Sequence, residues 1–150
     1  MTVHHLRRSC CEHCGRTCYE RGRVMSIEAA RTRDGVEPAE EYLRKLEKSP
    51  GPGRRNEMKL ATILIRFEDF AYTGELDRPR ELNYLQDDVW EIKAGTPRLP
   101  FFCVTDRSHG KVVRITSGFD KKQGRTPAGE IRKALWVREQ DAHWAQNIGG

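Results

Sequence analysis

Alternation with a period of two, running through residues 89 to 117, constrains this chain more than any other feature. In Val89-Trp-Glu-Ile-Lys-Ala94, Trp90, Ile92 and Ala94 fall on one side of an extended backbone, and Glu91 and Lys93 fall on the other. One face therefore packs and the opposite face carries charge. Leu99 to Asp106 reads as a second β-rich run and Lys111 to Ser117 as a third, in which Val113 and Ile115 alternate against Arg114. The loop Arg107-Ser-His-Gly110 is short enough to join the last two as an antiparallel hairpin. Pro100 falls inside the second run and cannot donate to a ladder, which predicts a locally unpaired or bulged strand there.

Upstream, Val24 to Arg31 is a weak first strand. Pro38 opens a helix whose face is Ala39, Tyr42, Leu43 and Leu46, and Ser49-Pro-Gly-Pro-Gly53 ends it. A longer helix is expected over 54–73, with Leu60, Ile63, Leu64, Phe67, Phe70 and Ala71 as its stripe and Gly74 as its stop. Residues 77–88 read as a polar connector. Downstream of the strands, Thr126 suits an N-cap and Pro127 a first helical position, with Ile131, Ala134 and Leu135 facing the core. The order β-α-α-β-β-β-α predicts an α+β domain: a small, mostly antiparallel sheet with a helical hairpin and a C-terminal helix on one side.

At 150 residues the chain can bury about two-thirds of its unfolded surface, enough for one core. A charged fraction of 33% and a mean hydropathy of −0.77 favour a soluble, cytoplasmic protein. No apolar run approaches the roughly 20 residues of a membrane span, and the N-terminus lacks the apolar stretch of a signal peptide. Residues 89–138 hold 11 Lys or Arg against 4 Asp or Glu, a local charge of +7 in a chain whose total is +5. The positive charge is concentrated where the strands are.

Residues 1–23 are expected to stand apart from a domain spanning 24–150. Cys11-x-x-Cys14 has the bite of two thiolates on one Zn²⁺, with Cys18, Cys10 or one of His4, His5 and His13 to complete a tetrahedron. No second ligand pair follows at zinc-knuckle spacing, so the other reading is a basic, weakly ordered extension. Cys103, on an apolar strand, reads as core packing.

Trp90-Glu-Ile-Lys93, Arg98, Gly118-Phe119, Lys121-Lys122, Thr126-Pro127, Glu130-Ile131 and Ala134 together resemble the phage-derived HigB-like branch of the RelE/ParE toxin superfamily. Ala30-Arg-Thr-Arg-Asp-Gly-Val-Glu-Pro-Ala-Glu-Glu-Tyr-Leu43 is similar to that branch's opening, and the resemblance covers residues 24–144 in order. It implies a RelE-like fold and a ribosome-dependent mRNA endoribonuclease that needs no metal for catalysis. The partners it implies are the ribosome, mRNA and a helix-turn-helix, HigA-like antitoxin. Such cleavage needs a base for the ribose 2′-hydroxyl, cations on the scissile phosphate and an acid for the leaving oxygen. Arg98, Arg114, Lys121 and Lys122 are the expected catalytic cations, and Lys93, Lys111, Arg125 and Arg132 the expected RNA-binding ones. Glu91 has a free face for proton transfer, or pairs with Lys93 or Arg114. His109 sits at a hairpin tip. The C-terminal Tyr or His common in the superfamily has only His143 to answer it, which leaves a second reading: a catalytically inactive protein of the same fold that binds ribosome, RNA or a partner. A zinc-containing DNA-binding regulator and a gyrase poison are further, weaker readings.

Overall fold

The structure is a computed structural model that describes residues 9–10, 15–106 and 110–149, with side chains placed over 15–106 and 110–144. It is α+β. Three strands, β1 (Ser9–Cys10), β2 (Thr17–Arg21) and β3 (Ser26–Ala29), lead into helix α1 (Pro38–Lys48). A short 3-10 turn (Pro52–Arg54) joins α1 to α2 (Arg55–Thr73). The strands β4 (Leu82–Gln86), β5 (Val89–Lys93), β6 (Pro97–Asp106), β7 (Gly110–Ile115) and β8 (Phe119–Asp120) follow, and helix α3 (Ala128–Gly149) closes the chain. All seven expected elements are present, with four further strands among them.

The sheet runs β1-β2-β3-β7-β6-β5-β4, and β8 pairs with the start of β6 beyond the end of β7. Every pairing is antiparallel except β3 with β7. On the first face, Ile27, Ala29, Ile92, Ala94, Leu99, Phe101, Val113 and Ile115 meet Leu43 of α1 and Leu60, Ile63, Phe67 and Phe70 of α2 in one buried cluster. The period-two reading of residues 89–94 thus holds, and the hairpin of α1 and α2 covers the face expected of it. α2 stops where Gly74 takes a left-handed φ of 75° and its N–H reaches the Phe70 carbonyl at 2.9 Å.

α3 departs from the expectation of helices on one side. It lies on the second face, where Phe102, the neighbour of Phe101 along β6, packs with Ala30 and Val137. β4 was not expected at all. Asp87 and Asp88 take φ values of 51° and 64°, the left-handed pair of a tight hairpin turn, and fold residues 82–86 back onto β5. Pro100 causes no bulge against β5, where it stands opposite Glu91. Its carbonyl accepts from Thr116 N–H at 2.8 Å and its missing donor faces the break between β7 and β8, where neither ladder includes Leu99 or Pro100, so the strand is locally unpaired on that side as expected. Cys103, read as core, is exposed.

The boundary expected after residue 23 falls inside the sheet. Tyr19 of β2 is buried, its ring 5.4 Å from that of Phe67 and its hydroxyl 3.0 Å from Glu40 Oε1. The Ala71 carbonyl near the end of α2 accepts from Val24 N–H at 3.0 Å and Met25 N–H at 3.1 Å. Gly22 lies so close to this carbonyl that a Cβ there would sit inside van der Waals contact with it. Its φ is not in the left-handed range, so on backbone entropy alone Gly22→Ala would stabilise by about 0.4–1 kcal/mol. The clash reverses the sign: urea unfolding should show Gly22→Ala less stable than wild type by about 1–3 kcal/mol. A neutral or stabilising result would mean that residues 17–23 do not dock as described.

Candidate nucleic-acid interface

The second face of the sheet is divided. Over β3, β7 and the far half of β6 it is closed by α3; over β4, β5 and the near half of β6 the cover is the loop 121–126 and the start of α3, which leave a cavity between them and the sheet. Alternation sets Glu91, Lys93 and Arg98 on this face, with Glu91 across from Pro100, Lys93 across from Arg98, and Arg98 across from Phe119 on its other side. Asp120, the next residue of β8, points to the first face. There Tyr42 of α1 donates to its Oδ1 at 2.7 Å and Lys59 of α2 to its Oδ2 at 3.0 Å. Burial, and then the Asp120 carboxylate, push the Tyr42 hydroxyl pKa well above its ordinary value, so it remains a donor. The Tyr42 ring lies directly on Gly118, where a Cβ would overlap it. These contacts fix the entry to the loop 121–126, and Lys121 N–H binds the Thr96 carbonyl at 2.9 Å.

Anchored there, the loop closes over a cavity of about 490 Å³ lined by Asn83, Tyr84, Leu85, Glu91, Lys121, Gly124, Arg125, Thr126 and Ile131. Glu91 is only 1% exposed, yet it carries the cavity's one carboxylate. Its Oε1 accepts from the Thr126 hydroxyl at 2.7 Å and its Oε2 from the Asn83 amide at 3.2 Å. Those two hydrogen bonds hold the carboxylate in one orientation and leave lone pairs on both oxygens. Thr126, expected as the α3 N-cap, turns its hydroxyl to Glu91. Arg98 stands beside this group: burial lowers its guanidinium pKa, and the Glu91 charge opposes that shift. Its Nη1 donates to the carbonyls of Gly95 and Pro97, while its Nε is buried without a hydrogen-bond partner. A half-buried guanidinium with one buried, unused donor is unfavourable at rest, and an anion reaching that Nε would relieve it.

The expected cations do not converge as one group. Arg98 and Lys121 share this half of the face, Lys93 lies beside Arg98, and Arg125 lines the cavity, whereas Lys122 is exposed and absent from the lining. Arg114 lies opposite Phe102, four residues along β6 from Arg98, or about 13 Å at strand rise. It is 8% exposed and structural in its contacts, with Nη1 at 2.9 Å from Asp141 Oδ2 and Nε at 3.5 Å from Glu28 Oε1. Arg16 binds the other oxygen of Asp141, and the Arg31 N–H reaches it at 2.8 Å. Lys111, across from Thr105, is about 23 Å along β6 from Arg98. Arg132 is exposed on α3, and His143 lies about 22 Å along that helix from its start. Arg107 and His109 lie outside the described residues.

The zinc ligand set is only partly in view. Cys11, Cys14, His4, His5 and His13 lie outside the described residues, and Cys10 belongs to β1. Cys18 is buried in β2, its sulfur 3.3 Å from Arg21 Nη2 and 3.8 Å from Glu28 Oε2. Among the described residues no group of three or more His, Cys, Asp or Glu side chains is arranged to hold a metal ion, and no helix is long and apolar enough to cross a membrane.

Burial separates structural from available cations, and stability measurements should show it. Arg114→Ala leaves Asp141 and Glu28 under-compensated in the interior and should cost about 3–5 kcal/mol in urea unfolding. Lys121→Ala should stay within about 0.5 kcal/mol of wild type. Equal effects at the two positions would contradict the division. No protein-family model matches this chain, and no curated protein is significantly similar to it.

Proposed function

We propose that the chain is an RNA-cleaving toxin of the HigB-like type, acting on mRNA at the ribosome and restrained by a helix-turn-helix antitoxin. The observation that carries this reading is the cavity on the second face, under the loop 121–126. It sets an oriented, buried carboxylate, Glu91, among the cations Lys121 and Arg125, with the under-satisfied guanidinium of Arg98 beside it. Basic composition around the strands suits the approach of a polyanion.

In this reading the scissile phosphate binds between Arg98 and Lys121. Arg98 rotates from the Gly95 and Pro97 carbonyls to grip two phosphate oxygens, a task its planar fork suits. Glu91 takes the proton of the ribose 2′-hydroxyl. The 2′-oxygen attacks phosphorus, the bond to the 5′-oxygen breaks, and that oxygen leaves with a proton from the Lys121 ammonium. The products are a 2′,3′-cyclic phosphate and a 5′-hydroxyl, with charge and protons balanced and no metal required. Arg98, Lys121 and Arg125 neutralise the phosphorane as it forms. Arg114 has no part in this step; it holds the platform.

A second reading, a binding protein that keeps the basic face without cleaving, has its own support in the backbone hydrogen bonds that occupy Arg98 Nη1. One experiment separates the two. Induced expression of the wild-type chain without a partner should arrest growth and leave cleaved, translated messages with 2′,3′-cyclic ends. Glu91→Gln, which keeps the shape and can still accept from the Asn83 amide while its own amide donates to a Thr126 hydroxyl turned to accept, should slow cleavage by about 10²–10⁴-fold. Ribosome binding with intact message would support the second reading, and cleavage unchanged in Glu91→Gln would overturn the assignment of the base.

A further inference from the structure

α2 buries one side and leaves the other bare. Leu60, Ile63, Phe67 and Phe70 face the sheet, while Met58, Ile65 and Tyr72 are 65%, 54% and 49% exposed. These three are seven residues apart. With Thr62 and Asp69 between them they trace 58-62-65-69-72, the alternating steps of four and three that make a helix-pairing seam. At 1.5 Å per residue the seam is about 21 Å long. Isolated surface hydrophobes are ordinary, but a row of them in register along one helix is a docking feature.

The charges along the seam indicate its occupant. Arg55 stands at the N-terminal end, and Glu68 and Asp69 in the C-terminal half, all exposed. A second copy laid antiparallel, with its two-fold axis near Ile65, sets each Met58 against the partner's Tyr72 and Ile65 against its own counterpart. It also lays the Arg55 end of each helix along the Glu68 and Asp69 half of the other and opposes the helix dipoles favourably. A parallel copy would set like charge on like charge. We propose that the chain self-associates through this face as a two-fold dimer built on antiparallel α2 helices. A single helix face buries less than the roughly 800 Å² per partner of a standard interface, so the dimer forms in the micromolar range and exchanges quickly. α2 lies on the first face of the sheet and the Glu91 cavity on the second, so dimerisation leaves the cavity open, and this inference stands independently of the proposed activity.

Sedimentation equilibrium of the full chain across the micromolar range tests it. The expected mass rises with concentration from 17.3 kDa towards twice that value. Ile65→Glu places two like charges at the axis and should hold the chain monomeric, without loss of thermal stability because the site is exposed. Arg55→Glu should weaken association several-fold, and Arg55→Glu combined with Glu68→Arg and Asp69→Arg should restore it. A wild type that stays at 17.3 kDa throughout, or a dimer unchanged by Ile65→Glu, would overturn the proposal. So would a monomer whose binding to a separate helical protein is abolished by Ile65→Glu, since the seam would then belong to that partner.

Discussion

The buried carboxylate of Asp141 decides how this molecule is built. It joins Arg16, which precedes β2, Arg114 of β7 and the backbone of Arg31 after β3, and so fastens the C-terminal half of α3 to three stretches of chain far apart in sequence. A buried ion set of this kind is weak evidence for net stability, because desolvation offsets much of the attraction. Its consequence is specificity. With Arg16, Arg114, Glu28 and Asp141 all in place, α3 has one docking position on the second face, and any shift along the sheet would strand a charge.

That docking position leaves room for the cavity. α3 begins at Ala128, beside the loop that closes over Glu91, and runs away from it towards β3 and Asp141. On the other face, Asp120 between Tyr42 and Lys59 holds the same loop from below. Two polar clusters, one on each face, thus determine where Lys121, Arg125 and Thr126 stand relative to the strand that carries Glu91. Cations that look alike in sequence are sorted by this arrangement into those that hold the sheet and those left available to an anion.

Much of the frame was legible because local chemistry agreed with the tertiary result. Pro38, Gly74, the stripe of α2 and the alternation of Trp90, Ile92 and Ala94 each encode their own element. What was not legible depended on contacts across the chain. Arg114 alternates correctly, but alternation cannot say that α3 covers that face or that Asp141 awaits it. The hairpin turn at Asp87-Asp88 lacks the Asn-Gly signal, and the left-handed conformations it needs are ones Asp tolerates rather than advertises. Tyr19 lies in a Cys- and Arg-rich segment whose composition suggests an extension, and only Phe67 and Glu40 reveal it as core. Asn83 and Thr126 escaped as site residues because each acts through Glu91, a partner 8 and 35 positions away.

If nucleic acid binds over Glu91 and not at the cations held by Asp141, a backbone amide NMR titration of the chain with a short single-stranded RNA will show where it lands. Shift changes should concentrate at Glu91, Lys93, Arg98, Lys121, Arg125 and Thr126, with Arg16, Arg114 and Asp141 unmoved. Changes centred on the exposed turns of α3, on Lys111 or on the first face around Arg55 would contradict it.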